Sequence, residues 1–305
     1  MNPLQVVTDS DAFRRFERGA GRAIFRSRAY ERLDVARRDL LSRSAVRRNP
    51  GIFDDVRTFC FFIGHNKSGT SLLGGLLDAH QDVVLADEVD ALKYVDAGFQ
   101  RDQLFHLLLR GSRSEARKGR VTARRLEPYS YAVPGQWQGR TTRPVVIGDG
   151  RSGTSTRRLG TDPELLERLS RLMPGVAVRV IQVIRNPFDP ISVMMVRGRR
   201  SFSNAIDHYF TSCEILDEVR CRVRPESLLP VRYETFIADP KDGLTSICRF
   251  LGVEAEAGYR DACASIVRPR PDRSREMVPW TQPWIKEVER RIPRFAFLEG
   301  YRYED

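Results

Sequence analysis

A short run of small, hydroxyl-bearing and cationic residues has the composition of an anion-binding loop. The run is GHNKSGTS, residues 64–71. Its candidate ligand-binding residues are Lys67, Ser68, Gly69, Thr70 and Ser71. Glycines let backbone N–H groups approach a ligand closely, hydroxyls donate hydrogen bonds, and a lysine adds positive charge. The sequence therefore predicts an anion site here, although a glycine-rich turn without a ligand is also compatible with it.

This loop differs from the loops that hold nucleoside triphosphates. It keeps the two glycines and the final serine of G-x-x-x-x-G-K-[ST], but Thr70 stands at the lysine position and Lys67 lies inside the loop. We find no convincing strand-terminal aspartate for a magnesium ion, and a triphosphate without its metal leaves much charge uncompensated. The sequence therefore predicts a less charged anion and no metal.

Two carboxylates are candidates for proton transfer. Asp87 and Glu88 follow the apolar residues 83–86. Near a bound anion and half-desolvated, Glu88 is expected to have a raised pKa suited to a general base. Helix capping is the alternative, equally good for Asp87 and weaker for Glu88. The four histidines are weaker candidates: His65, His80, His106 and His208.

A second set of cationic residues lies later in the chain. Arg185 follows the apolar run 176–184, with Asp189 as the expected N-cap of the next helix and Ser192 on that helix. Residues 268–275 form a proline-stiffened basic loop that includes Arg273 and Arg275. A guanidinium can bind two phosphate oxygens at once, so arginines at these positions could bind an anionic ligand. The basic loop could equally be a solvated linker.

The elements around these residues predict the fold class. Residues 59–63 are too short for a core helix and rich in aromatics, which favours a buried strand, and leucines 72, 73, 76 and 77 recur at helical spacing. Further strands are expected at residues 82–86, 144–147, 176–184 and 228–233, with helices between them. The prediction is an α/β fold, a mostly parallel sheet flanked by helices on both faces. The carboxyl ends of such strands open on one crevice, so the candidate residues should meet there.

A second loop repeats the order of the first. Residues 148–155, GDGRSGTS, carry Arg151 where the first loop has its lysine. The residues after it are polar and interrupted by Gly160 and Pro163, so we predict that no long apolar helix follows at once. This second loop ranks behind the first as an anion cradle, and its expected role is to support the first loop or the acceptor side.

The composition of the chain limits which partners and which cellular compartment are expected. The chain has 305 residues and a net charge of +11, carried by arginines spread along it without a nucleic-acid-binding motif. Its five cysteines show neither paired nor zinc-binding spacing, which predicts a reduced, cytoplasmic protein. No run is long and apolar enough to span a membrane, and no signal peptide is evident. No nucleic acid partner is expected.

The chain is expected to divide near residue 50. Residues 1–50 read as a basic helical N-terminal extension that ends at Asn49, Pro50 and Gly51, and residues 51–305 as the α/β domain. Residues 100–144 are the least regular stretch. Their aromatic residues are expected to cover an acceptor site or to join the core.

The Lys-Ser-Gly-Thr-Ser order directly after a strand resembles the bacterial-type sulfotransferases that use 3′-phosphoadenosine 5′-phosphosulfate, and a segment at Arg185 resembles their second signature. The resemblance spans roughly residues 57–303 and implies a P-loop-like fold. It implies that Lys67 and residues 68–71 hold the 5′-phosphosulfate and that Glu88 matches a general base. Arg185 and a hydroxyl on the next helix would hold the 3′-phosphate, with Arg273 and Arg275 as a lid.

This sequence departs from the family pattern at two positions. The helix hydroxyl is expected eight residues after the arginine, where this chain has Val193, and Ser192 lies one residue earlier. Similar bacterial enzymes often carry Gly-Asp-Lys where this chain has Gly148, Asp149 and Gly150. The contact of Ser192 with a phosphate and the role of the second loop are therefore open.

The resemblance implies transfer of a sulfuryl group from 3′-phosphoadenosine 5′-phosphosulfate to a hydroxyl or amine. The acceptor, which could be a small molecule, a lipid or a glycan, and the oligomeric state cannot be read from the sequence. Two alternatives remain at this point. A kinase-like phosphotransferase would require magnesium, and a nucleotide- or polyanion-binding module would bind without chemistry.

Overall fold

A computed structural model of the chain describes residues 28–121 and 129–305. Residues 1–27 of the predicted N-terminal extension and residues 122–128 of the irregular stretch lie outside the described residues. Strands and helices are numbered below in chain order within the described part.

The described residues form a five-stranded parallel sheet. Its strands are β1 (Thr58–Gly64), β2 (Val83–Ala86), β3 (Val146–Asp149), β4 (Ala177–Ile184) and β5 (Leu228–Arg232). The spatial order is β2-β3-β1-β4-β5, and every pairing is parallel. The central strand β1 thus has β3 on one side and β4 on the other, and the loops after these three strands open at the same edge.

Helices connect the strands and cover both faces of the sheet. The helices before β4 are α1 (Arg28–Arg48), α2 (Thr70–Leu77), α3 (Ala91–Asp96), α4 (Arg101–Arg117), α5 (Ser152–Thr161) and α6 (Leu165–Leu172). Those after β4 are α7 (Phe188–Gly198), α8 (Phe202–Arg222), α9 (Tyr233–Ala238), α10 (Pro240–Leu251), α11 (Ala257–Ser265) and α12 (Gln282–Arg291). The predicted fold class is confirmed.

The core lies in two layers, one on each side of the sheet. All seven residues of β1 are buried, and successive side chains of a strand point to opposite faces. Phe59, Phe61 and Ile63 join one apolar cluster, whereas Cys60 and Phe62 join the other. This double burial explains why β1 is a continuous apolar run rather than an alternating one.

The helix that follows the second loop is short and rich in polar residues, in line with the prediction that no long apolar helix follows, but Gly160 lies within it. A ten-residue helix, α5, begins at Ser152, after a two-residue connection from the end of β3 at Asp149. Gly160 does not break this helix. A Cβ at Gly160 would lie 2.4 Å from Cγ2 of Ile215 on α8, so the glycine permits close packing of the two helices. The prediction took a packing glycine for a helix breaker.

Helix α1 packs on the α/β domain through α4. The Gln103 side-chain amide donates to Asp39 Oδ1 at 2.8 Å and to Ser42 Oγ at 3.1 Å. Leu33 and Leu40 on α1 are exposed. The described part of the basic extension is therefore helical and in contact with the domain, while the division of the chain near residue 50 stays a prediction.

Residues 129–140 pack against α2. The Gln138 amide donates to Gly75 O at 2.6 Å, and Trp137 N donates to Ala79 O at 3.1 Å. Tyr131 approaches the same helix, because a Cβ at Gly75 would lie 2.8 Å from Cβ of Tyr131. These contacts fasten the segment beside α2, and its role as an acceptor cover stays a prediction.

Candidate functional site

The first predicted loop connects β1 to the N-terminus of α2. Gly69, just before the eight-residue helix α2, has φ 97°, and a Cβ there would lie 2.2 Å from Cδ2 of Tyr233. Only glycine adopts this positive φ readily and leaves room for the Tyr233 ring. Lys67 also has a positive φ, 72°. This tight path turns the first N–H groups of α2, which have no partner within a helix, toward the loop.

The loop is joined to Arg185, the second predicted signature. Arg185 lies directly after β4, and its Nη1 donates to Lys67 O at 3.1 Å. Its guanidinium also lies over the ring of Tyr233, 5.0 Å from the centroid. The same ring touches Gly69. Tyr233, at the start of α9 after β5, therefore links both predicted motifs, and the sequence had given it no such role.

The Arg185 side chain is only 6% exposed and has several protein partners. Its Nε donates to Asp189 Oδ2 at 3.3 Å, and its Nη2 donates to Asp272 O. A guanidinium carries five N–H donors. With three of them directed to protein acceptors, a phosphate beside Arg185 would be held by the remaining N–H groups on Nη1 and Nη2.

Asp189 is not the helix cap that the sequence predicted. Helix α7 begins at Phe188, and the Asp189 carboxylate is buried between two arginines. It accepts from Arg275 N at 3.0 Å, from Arg275 Nε at 3.1 Å and from Arg275 Nη2 at 3.1 Å. Arg275 Nη1 donates to Tyr303 O at 2.6 Å. Arg275 is therefore a buried partner of Asp189, and its place in the nucleotide lid stays a prediction.

Ser192 also has a different environment from the predicted one. It is fully buried on α7, its hydroxyl donates to Phe188 O at 2.7 Å, and its oxygen accepts from Trp280 Nε1 at 2.9 Å. In this structure the single hydroxyl proton is used within the helix, and a contact of Ser192 with a 3′-phosphate stays a prediction. The one-residue shift from the family spacing thus corresponds to a side chain that faces the core.

The basic loop lies beside Arg185, as the resemblance implied. Asp272 O accepts from Arg185, and Arg273 follows it with a side chain that is 37% exposed. Arg273 Nη2 donates to Glu304 O at 3.1 Å, and its Nε lies 3.5 Å from Glu276 Oε1. Of the two arginines predicted in this loop, Arg273 is the one with a solvent-accessible side chain.

The two carboxylates after β2 have unlike surroundings. Glu88 is exposed, with a side chain 70% accessible and Oε2 3.9 Å from Arg151 Nε. The burial expected for Glu88 is found at Asp87 instead. Burial, and then the negative charge of Glu88, raise the pKa of Asp87 to about 6, against the lowering effect of a hydrogen bond from the Ser71 hydroxyl. The sequence could not distinguish these neighbours because it does not show which one turns inward.

Asp149, at the end of β3, anchors two neighbouring segments. Its buried carboxylate accepts from Ala91 N at 2.6 Å and from Arg151 N at 3.3 Å. Burial raises the pKa of Asp149 to about 7. The residue fixes the start of α3 and the second loop relative to the sheet, which is a structural task.

The second loop holds the first one in place. Thr156 on α5 reaches the end of β1, where Gly64 N donates to Thr156 Oγ1 at 3.0 Å. The same hydroxyl lies 3.2 Å from Gly64 O and 3.0 Å from Ser152 O. A Cβ at Gly153 would lie 2.4 Å from Asn66 Oδ1, so the two loops are in contact. This geometry fits the supporting role among those expected for the second loop.

The histidine within the first loop is poorly suited to accept a proton. His65 stacks on Tyr209 at 4.0 Å between ring centroids, and its Nε2 lies 3.3 Å from Cys213 Sγ. Burial lowers the pKa of His65 to about 3. It would therefore remain neutral at neutral pH but be a weak base.

Comparison with known proteins identifies the family. The model of the sulfotransferase family matches residues 60–257, which is more than half of the chain and includes both predicted signatures. The chain belongs to the sulfotransferase family. This sulfotransferase is accordingly an enzyme of sulfuryl transfer, and the kinase-like alternative is not supported. No curated protein matches it in sequence.

Solved structures with a similar fold include other sulfotransferases. The sulfotransferase domain of the Synechococcus olefin synthase is 16% identical with a TM-score of 0.48, over 79% of this chain and 95% of that one. The sulfotransferase STF1 of Mycobacterium tuberculosis is 15% identical with a TM-score of 0.45, over 84% of this chain and 81% of that one. At these identities no residue role is transferred.

Within residues 28–121 and 129–305, no helix combines the length and the apolar character that crossing a bilayer requires.

Proposed function

We propose that this sulfotransferase takes its sulfuryl group from 3′-phosphoadenosine 5′-phosphosulfate and transfers it to a hydroxyl or amine of its acceptor. The observation that carries the proposal is the bond from Arg185 Nη1 to Lys67 O at 3.1 Å. It brings the loop suited to a 5′-phosphosulfate next to an arginine suited to a 3′-phosphate. A donor with both groups would fit this pairing.

The first loop would stabilise the departing phosphate. As the acceptor attacks, a bond forms between its oxygen or nitrogen and sulfur, and the bond from sulfur to the 5′-phosphate oxygen breaks. Negative charge then grows on that phosphate. This charge would be offset by Lys67, by the N–H groups at the start of α2 and by the hydroxyls of Ser68, Thr70 and Ser71. The proposal therefore needs no metal.

Glu88 would take the proton that the acceptor loses. Its carboxylate is solvent-accessible at the end of β2, so an acceptor arriving from solvent can reach it. The 3′-phosphate would be held by the remaining N–H groups of Arg185, with Arg273 as the exposed cation of the basic loop. Ser192 and Arg275 are given no contact in this proposal: the Ser192 hydroxyl donates to Phe188 O, and Arg275 pairs with Asp189.

The class of acceptor stays broad in this proposal: a small molecule, a lipid or a glycan that carries a hydroxyl or amine. All five cysteines are free thiols, which supports the predicted reducing, cytoplasmic setting. No nucleic acid is included among the proposed partners.

The test uses sulfur-labelled donor and a metabolite extract as the source of acceptors. We expect labelled product with wild type without added magnesium, and a loss of orders of magnitude in Lys67→Ala, since this residue is an exposed loop cation rather than core. Arg151→Ala is the matched control, because it removes the corresponding cation of the second loop. Its turnover should stay much closer to wild type.

Three results would contradict the proposal. Normal turnover by Lys67→Ala together with loss of donor binding in Arg151→Ala would move the cradle to the second loop. Donor binding without any labelled product would favour the binding module. In calorimetry, equal affinity for 3′-phosphoadenosine 5′-phosphate and 5′-AMP would remove the 3′-phosphate site.

A further inference from the structure

The connection between β2 and α3 carries Glu88, the proposed base. The Glu88 carboxylate is exposed to solvent, so its place depends on how the backbone on either side of it is held. On the β2 side, Gly150 N donates to Ala86 O at 2.7 Å. On the α3 side, Asp149 Oδ2 accepts from Ala91 N at 2.6 Å. Both partners lie at the end of β3 or directly after it.

Asp90, the last residue of this connection, has an unfavourable backbone conformation. Its φ is 65° and its ψ is 61°, in the left-handed region. Residues with a Cβ rarely adopt this region, although aspartate tolerates it better than most. Such a conformation persists where the surrounding contacts determine it. The path of the connection therefore depends on what holds Asp90.

Arg158 on α5 supplies that contact. Its Nε donates to Asp90 Oδ1 and its Nη2 donates to Asp90 Oδ2, each at 2.8 Å. The two parallel bonds make a bidentate pair, which fixes orientation as well as distance. The pair is largely withdrawn from solvent, since the Asp90 side chain is 9% exposed and that of Arg158 is 26% exposed. Arg158 thus ties the segment of the base to the helix that follows the second loop.

Arg151 reaches the same connection but holds it less firmly. Its Nη1 donates to Glu88 O at 3.4 Å, and its Nε lies 3.9 Å from Glu88 Oε2. The Arg151 side chain is 40% exposed, and ion pairs in solvent contribute little to holding a structure. The bidentate pair at Asp90 is therefore the stronger restraint on this segment.

Helix α5 connects the base to the anion loop. Thr156 accepts from Gly64 N at the start of that loop, and two residues later Arg158 holds Asp90. Residues two apart on a helix are about 200° apart around its axis, so the two contacts lie on opposite sides of α5. One short helix therefore sets the distance between the loop and the connection that carries Glu88.

We propose that Arg158 is a positioning residue for the reaction: through its bidentate pair with Asp90, it holds Glu88 where the acceptor's proton can be taken beside the bound donor. The inference rests on the proposed function, because it takes Glu88 to be the base. Arg158 itself contacts neither donor nor acceptor in this arrangement. Displacement of a catalytic group by about 1 Å can lower a rate about a hundredfold. The loss of Arg158 should therefore appear in turnover and not in donor affinity.

The test compares turnover with affinity in Arg158→Met, which keeps most of the side-chain stem and removes every hydrogen-bond donor. Turnover is the label transferred from sulfur-labelled 3′-phosphoadenosine 5′-phosphosulfate into a metabolite extract, with the enzyme in excess over the donor so that slow variants can be followed. Calorimetry with 3′-phosphoadenosine 5′-phosphate gives the affinity. We expect turnover to fall by about ten- to a hundredfold and the affinity to stay as in wild type.

Two further variants separate the pair from its charge and from folding. Arg158→Lys keeps the charge but lacks the planar fork of a guanidinium, so its turnover should lie between those of wild type and Arg158→Met. Combining Asp90→Asn with Arg158→Met leaves no carboxylate without its partner, and asparagine tolerates a positive φ. This double variant should fold and should show the same loss of turnover.

Arg168→Gln is the matched control. Arg168 on α6 binds α3 at its other end, where its Nη2 lies 3.1 Å from Asp96 Oδ1. Its removal loosens the same helix without touching the connection that carries Glu88. Turnover should stay close to wild type. An equal loss in Arg158→Met and Arg168→Gln would come from general loosening of α3 and overturns the inference.

A cycle with Glu88→Gln separates positioning from a general structural effect. If Arg158 acts through Glu88, its removal costs little once the base is gone. Arg158→Met should therefore lower the turnover of the Glu88→Gln protein by a much smaller factor than that of wild type. An equal factor in both proteins overturns the inference.

Failure of the proposed function gives a different pattern. If wild type transfers no label, or if Glu88→Gln turns over normally, the donor or the base is wrongly assigned and the inference falls with it. If Glu88→Gln is slow while Arg158→Met turns over as wild type does, the base assignment stands and only the role of Arg158 is overturned.

Discussion

At the scale of single residues, what matters is which polar atoms are already committed to protein partners. Lys67 and Arg185 were predicted from residue type and meet at the crevice. Ser192 and Arg275 were predicted by the same reasoning, yet their hydrogen bonds go to Phe188 and Asp189. A sequence shows which groups can bind phosphate, but their competing partners come from distant parts of the chain. This is why the residue types suited to phosphate could be predicted from the sequence, whereas their partners within the fold could not.

The first residue-scale prediction concerns Glu88. Glu88→Gln should keep the affinity for 3′-phosphoadenosine 5′-phosphate while turnover falls by about two to four decades, the usual contribution of a general base. The side chain is exposed, so the substitution should leave the fold intact. Turnover is measured with the acceptor found by the labelled-donor assay, and binding by calorimetry.

His208→Ala is the comparison for this prediction, because His208 is the exposed histidine that precedes Tyr209, the stacking partner of His65. It should turn over much as wild type does. Normal turnover in Glu88→Gln with an inactive His208→Ala would assign the base to the histidine and leave Glu88 as a surface residue.

At the scale of elements, two loops with the same residue order have different tasks. The loop after β1 leads into the buried leucine helix α2, and the loop after β3 leads into α5, whose Thr156 clamps the start of the first loop. The repeat was visible in the sequence, and so was a supporting role. The clamp itself was not, because it depends on β1 and β3 being neighbours in the sheet although β2 lies between them in the chain.

The element-scale prediction removes this clamp. Thr156→Val keeps the side-chain shape but leaves the buried Gly64 N–H without its acceptor, which should lower the free energy of unfolding by about 1–3 kcal/mol. Because Gly64 begins the anion loop, affinity for 3′-phosphoadenosine 5′-phosphate should also fall. Thr156→Ser keeps the hydroxyl and should preserve affinity. Equal affinity in the valine and serine variants would show that the clamp does not position the loop.

At the scale of the whole molecule, the C-terminal part of the chain closes over the end of β4. Asn186 Nδ2 donates to Arg302 O at 2.8 Å, and Tyr301 Oη donates to Glu234 Oε2 at 2.7 Å. Arg275 connects Asp189 on α7 to Tyr303 O. The strands and their parallel arrangement could be predicted from the hydrophobic pattern and the helices between them. These late contacts could not be predicted, since they join residues more than 25 positions apart through buried polar groups without periodicity.

The whole-molecule prediction tests whether Arg275 serves stability or the nucleotide. Breaking a buried ion pair by removing one partner leaves the other charge uncompensated and typically costs about 3–5 kcal/mol. Asp189→Asn leaves two arginines without their shared carboxylate, so it should lower the free energy of unfolding more than Arg275→Gln, which leaves Asp189 with Arg185. Denaturant unfolding of both variants and of the double variant measures this. The double variant should lose less than the sum of the two single losses, because the partners act on each other.

Folded Arg275→Gln should still bind 3′-phosphoadenosine 5′-phosphate with little change, whereas Arg273→Ala, the exposed neighbour, should weaken that binding with little loss of stability. The contrary result is an Arg275→Gln protein of normal stability that no longer binds the nucleotide. It would show that Arg275 contacts the nucleotide and that its ion pair with Asp189 is exchanged for the ligand on binding.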